Sequence, residues 1–169
     1  QLKQDMLWTL LDLSHEELAA LDVKDRYRIR PVRSTASVFI SYSSENQEIA
    51  DQLADGLTRR NVSCWIATRN IGPGESYPAK IMQGIRGASI FVVLISEDSI
   101  RSPHVKSELD TAFSRLKDGL MIVPVIIDGA KLDDDCQYYL GRQEFVYANS
   151  PHIASSIDRL CDQIAELID

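Results

Sequence analysis

Two uncharged, largely apolar runs, Ala88–Ser96 and Gly119–Ile127, set the strongest limit on what this chain can fold into. Each holds nine residues, whereas a helix that crosses a bilayer needs about 20. Neither run alternates apolar with polar positions. The segment from Ile90 to Ile95 reads IFVVLI, and a strand of that kind is buried on both faces, as in the interior of a parallel sheet with helices on either side.

The flanking segments supply the rest of such a sheet. Ser37–Tyr42 (SVFISY) is a β-branched and aromatic strand. Ser44 followed by Gln47 reads as a capping box opening a helix with Ile49, Ala50, Leu53, Ala54 and Leu57 on one face. A second strand is expected over Val62–Ile66, then a loop around Gly72-Pro73-Gly74, then a helix near Pro78–Arg86. The third strand is Ser89–Ser96, and Ser102-Pro103 provides an N-cap and first-turn proline for a helix through about Leu116. Leu120–Ile127 and Glu144–Tyr147 complete five strands. Ser150-Pro151 is expected to cap a last helix with Ile153, Ile157, Leu160, Cys161, Ile164 and Ile168 inward.

Right-handed crossovers place helices on both faces of such a sheet, so the expected fold is α/β and flavodoxin-like, with a five-stranded parallel sheet in the order 2-1-3-4-5. Residues 34–169 form this domain. Residues 1–33 read as a helical connector or the tail of another module, with Ser14 and Glu17 as a capping box and a basic run from Lys24 to Arg33. The first residue is Gln, so the chain is expected to be a piece of a longer one.

Charge and cysteine content narrow the function. The net charge is −7, and the first 33 residues are balanced, so the excess lies in the α/β segment. That disfavours nucleic acid and anionic membranes as partners. Three widely spaced cysteines (Cys64, Cys136, Cys161) suggest neither a disulfide framework nor a metal cage and fit a reducing cytoplasm.

In this architecture the ligand crevice lies beyond the carboxyl ends of the first and third strands. Tyr42, Ser43 and Ser44 follow the first, and Ser96 ends the third. No glycine-rich phosphate loop stands there, no aspartate ends the third strand, and no G-x-S-x-G elbow occurs. At 100° per residue, Val105, Leu109, Ala112 and Leu116 share a core stripe, with Glu108 about 60° from Val105 on the flank that carries His104. Glu108 is thus either a boundary carboxylate that reaches solvent or a functional group beside the crevice. The Ala67–Tyr77 loop is either a plain turn or a lid, and Trp65 either a core ring or a ligand contact.

The stretches Ser37–Ser43 (SVFISYS), Cys64–Arg69 (CWIATR) running into Ile71-Gly72-Pro73-Gly74-Glu75, and Ser102–Leu109 (SPHVKSEL) together resemble the Toll/interleukin-1 receptor (TIR) domain family, in its bacterial branch. The resemblance covers about residues 36–168. It implies that Ile71–Glu75 belong to the family's BB loop and that the chain cleaves NAD, with NAD as substrate and no further cofactor or metal. Glu108 matches the catalytic glutamate. Tyr42, Ser43, Trp65, Arg69, Ser96 and His104 are the implied substrate-binding residues. His104 stands where many bacterial members have an aromatic residue, often Trp, and Thr68-Arg69-Asn70 where relatives often show Pro-Arg-Asp.

The resemblance further implies an antiphage effector activated by self-association and joined to an upstream sensing or oligomerising module. Two other readings stay open. One is a non-enzymatic TIR adaptor, and the other a nucleoside deoxyribosyltransferase-like enzyme, which the loop motif disfavours.

Overall fold

The structure, a computed structural model, describes residues 37–149 and 151–168 of the 169-residue chain. The expected connector over 1–33 and the cap at Ser150 lie outside the described residues. The strands are β1 (Ser37–Ser41), β2 (Cys64–Trp65), β3 (Ala88–Ile95), β4 (Met121–Ile126) and β5 (Val146–Tyr147). All pair in parallel, in the order β2-β1-β3-β4-β5. The expected fold class and strand order are those observed.

The helices are α1 (Gln47–Arg59), α2 (Ala67–Asn70), α3 (Tyr77–Gly87), α4 (Pro103–Ser114), α5 (Asp134–Leu140) and α6 (Ile153–Ile168). Strand alternation divides the core in two. Val38 and Ile40 of β1 join Ile90, Val92 and Leu94 of β3 under α1 and α6. Phe39 joins Phe91, Val93 and Ile95 under α3, α4 and α5. On this second face Phe39 stacks on Phe91 at 5.4 Å and on Trp65 at 4.7 Å between ring centroids. Fully burying such side chains contributes about 1.5–3 kcal/mol each, so β1 and β3 anchor both layers.

Three details of the expected elements differ, the first being that Ala67–Asn70, expected as the start of the Ala67–Tyr77 loop, forms the short helix α2. The Ser44–Gln47 capping box does not form. Ser44 instead opens a 3-10 turn over Ser44–Asn46, and the hydroxyls of Ser43 and Ser44 both donate to the Glu45 carboxylate. A serine beside a carboxylate has a local partner that competes with the cap, so α1 starts three residues later. The unexpected α5 is capped by Asp133, whose side chain accepts from the Cys136 N–H at 2.9 Å.

Candidate active site

The β1–β3 switch point opens into a cleft of about 730 Å³. Its floor is built from the carboxyl end of β1 and the first turns of α4, and its outer wall is the loop between α2 and α3. Helix α4 is positioned as the sequence implies: the Ser102 hydroxyl accepts from the Val105 N–H at 3.4 Å, and Pro103 occupies the first turn. Val105, Leu109 and Ala112 are buried against the sheet. That orientation leaves Glu108 half-buried at the shoulder of the helix, facing the cleft.

Ser41 meets it there. On β1 the period of two places Phe39 and Ser41 on the face covered by α3 and α4, and Ser41 is fully buried. Its hydroxyl donates to Glu108 Oε2 at 2.5 Å. Burial pushes the Glu108 carboxyl up to about 7, against the opposing pull of the Ser41 hydrogen bond. Although the residue keeps some solvent access, protein atoms crowd the carboxyl itself, and desolvation of that group governs its proton affinity. A carboxyl poised near neutrality in a cleft marks a candidate functional group.

The cleft brings together most of the expected site residues. Tyr42, Ser43, Trp65, His104 and Glu108 line it, as do Ile71, Gly72 and Pro73 of the loop. Trp65 thus reaches the cleft while its ring stacks on Phe39. Others lie elsewhere. Arg69 is held by Asp51 at 3.2 Å and Asp55 at 2.9 Å, both on α1, and does not line the cleft. Ser96 is buried below it, donating to Asn46 Oδ1 at 2.6 Å and accepting from the Ser99 N–H at 3.0 Å, which ties the β3 exit to the start of α1. Gly74 and Glu75 do not line the cleft. Glu75 accepts from the Gly72 N–H at 2.8 Å and pairs with Lys80 at 2.9 Å, bracing the loop on α3. Of the two loop glycines, Gly74 alone has a left-handed backbone, with φ of 79°.

Among the cleft residues that the sequence did not single out are Tyr77 and Arg101. Tyr77, at the start of α3, is 45% exposed and meets the His104 ring edge-on at 6.2 Å, forming an aromatic rim beside Glu108. Arg101, in the 3-10 turn before α4, lines the cleft, and its guanidinium makes no hydrogen bond or ion pair among the described residues. The signal for both was position: Tyr77 closes the loop, and Arg101 stands one residue before the α4 cap.

A parallel five-stranded sheet with a carboxylate at its switch point, overhung by the loop after β2, defines an α/β domain of the flavodoxin-like class. The TIR domain family model matches residues 38–161, and the chain belongs to that family. It is 27% identical over 132 residues to 2′ cyclic ADP-D-ribose synthase AbTIR of Acinetobacter baumannii, covering 78% of this chain and 48% of that protein. It is also 29% identical over 99 residues to a stimulator of interferon genes protein of Magallana gigas, covering 57% of this chain and 24% of that one. The chain thus spans about half or less of these curated relatives. Among solved structures, the TIR domain of the Toll-related receptor TRR-2 from Hydra magnipapillata superposes with a TM-score of 0.63 at 18% identity, covering 80% of this chain and all of that domain.

Proposed function

We propose that this TIR domain cleaves the nicotinamide–ribose bond of NAD, with Glu108 as the catalytic residue. The observation that carries the reading is the half-buried Glu108 carboxyl at the cleft floor, held by Ser41 and poised near neutral pH. The similarity to a 2′ cyclic ADP-D-ribose synthase supports the same chemistry.

One carboxylate suffices. Hydrolysis of an ordinary glycoside uses two, one of them to protonate the leaving oxygen. Nicotinamide leaves NAD as a neutral ring from a cationic pyridinium, so no general acid is needed. The positive charge that develops at the anomeric carbon is stabilised by the preorganised Glu108 carboxylate in a site of low dielectric. The cationic substrate also favours the ionised form of the carboxyl as it binds. Release of nicotinamide then leaves the ribosyl carbon open to water, giving ADP-ribose, or to an atom of the same molecule, giving a cyclic isomer. Incubation with NAD, with separation of nicotinamide from the adenine-containing products, tests the assignment: released nicotinamide supports it and intact NAD contradicts it.

In this reading the Tyr77–His104 rim packs on the nicotinamide ring, Tyr42, Ser43 and Trp65 contact the rest of the substrate, and Arg101 meets the diphosphate. Arg101 lines the same cleft as Glu108, from the 3-10 turn that precedes α4. Arg101→Ala is expected to raise KM for NAD about tenfold while changing turnover of nicotinamide riboside, which lacks the diphosphate, less than twofold. Equal losses on both substrates would remove Arg101 from diphosphate binding.

The reading extends to regulation. Residues 72–76 of the loop wall are exposed, which supports self-association of TIR domains through that loop as the step that completes the cleft. Within a longer protein, such a domain would act as a cytoplasmic defence effector under control of a sensing or oligomerising module. Gly74→Val tests the loop, because a β-branched residue at φ of 79° is strained by about 1–2 kcal/mol. The expected result is reduced NAD cleavage and weaker self-association, with the fold kept and the melting temperature lowered by only about 2–10 °C. Unchanged activity together with unchanged light-scattering mass would reject the loop's role.

A further inference from the structure

We propose that Ser41 is a positioning residue of this site, its hydroxyl pinning one oxygen of the Glu108 carboxylate to the end of β1 so that the other oxygen is presented to the substrate. The proposal rests on the catalytic reading of Glu108. It goes beyond that reading in making the carboxylate's orientation, and the pH at which it works, depend on a strand residue that does not line the cleft.

The geometry carries it in three ways. Ser41 occupies a core position of β1, on the face where Phe39, Phe91, Val93 and Ile95 are all apolar. A hydroxyl there needs a buried acceptor, and among the described residues it has Glu108. The converse also holds: among the described residues Ser41 is the hydrogen-bond partner of the Glu108 carboxylate, and its bond is made to Oε2. The two residues are 67 positions apart and belong to different layers. The contact therefore fixes the helix that carries the carboxylate against the strand that ends in the crevice.

The charged and titratable groups that share the cleft with the carboxyl are Tyr42, Glu45, Tyr77, Asp98, Arg101 and His104, and none of them hydrogen-bonds to it. Glu45 is engaged by Ser43 and Ser44, which hold its carboxyl below the usual range. Among the described residues Ser41 is thus the donor that opposes the upward pull of burial on Glu108.

Removing the hydroxyl as Ser41→Ala should leave the carboxylate desolvated without a donor. The midpoint of the rising limb of the kcat pH profile is then expected to move up by about one unit. At the alkaline plateau kcat should fall about tenfold with KM changed less than threefold, because a misoriented carboxylate fails in the transition state more than in substrate binding. Ser41→Thr, which keeps the hydroxyl, should restore the midpoint. Ser41→Cys, with a weak donor of similar size, repeats the loss if the alanine protein unfolds.

The deciding measurement does not need activity: titration of the Glu108 carboxyl carbon by NMR in the unliganded parent and Ser41→Ala proteins. A higher midpoint in the variant supports the positioning role. Equal midpoints, with only the melting temperature lowered, would make Ser41 a packing residue and overturn the proposal. A parent protein that leaves NAD intact would overturn the catalytic reading separately, and the titration would still decide the role of Ser41.

Discussion

Glu108→Gln is expected to abolish NAD cleavage, lowering turnover by at least about a hundredfold, while leaving the fold intact and making it more stable at alkaline pH. The loss follows from removing a charge that acts on the developing cation, a contribution typically worth about 3 kcal/mol of barrier. The gain follows from linkage. The Glu108 carboxyl titrates near 7 in the folded protein against an ordinary value of 4.5. Between those pH values the folded state binds more protons than the unfolded one, so stability falls as pH rises through the window, and the loss is complete above pH 7. The full cost approaches about 3 kcal/mol, reduced by the solvent access that the side chain keeps.

Glutamine keeps an oxygen that can accept from Ser41 and carries no charge to bury. The variant should therefore match the parent near pH 4 and exceed it by about 1–3 kcal/mol at pH 8. Chemical denaturation at the two pH values, run beside the NAD assay, checks both halves. A folded glutamine variant that still turns over NAD would remove Glu108 from catalysis. A variant less stable than the parent at pH 8 would show the carboxylate to be a structural group.

The second large effect expected is on concentration. If neighbouring domains complete the cleft, the rate per subunit rises with protein concentration, because the competent assembly forms by mass action. A net charge of −7 opposes that association at low salt, and screening over a Debye length of about 8 Å at physiological ionic strength relieves part of the repulsion. Fusion to an oligomerising partner should raise the rate per subunit at least about tenfold, with Glu108→Ala in the same fusion inactive. A rate per subunit that is flat over a thousandfold range of concentration, and indifferent to the fusion, would show that each monomer holds a complete site.

The parts of this fold legible in the sequence are those fixed by local pattern. The unbroken apolar runs of β3 and β4 announced interior parallel strands, and Ser102-Pro103 announced the start of α4. Glu108 was legible as a shoulder residue from helical phase alone, but phase left its role open. What narrows it is the contact with Ser41, made between residues 67 apart, and no periodicity reports such a pair. The Ser44 box failed because Glu45 offered both hydroxyls a closer acceptor. Arg69 lay outside the cleft because Asp51 and Asp55, one turn apart on α1, capture its guanidinium. Helix α5 was missed although Asp133 capping an acidic first turn, with Gly141 at its end, carried the signal. Its seven residues were too few to show a clear period of 3.6.

The most direct test of the account is nicotinamide release from NAD by the domain clustered on an oligomeric fusion, measured at pH 8, where Glu108 is ionised. The account predicts stoichiometric nicotinamide and an ADP-ribose or cyclic ADP-ribose product from the parent fusion and none from Glu108→Gln. NAD left intact by a folded, clustered parent protein would contradict it and leave a TIR domain that only binds its partners.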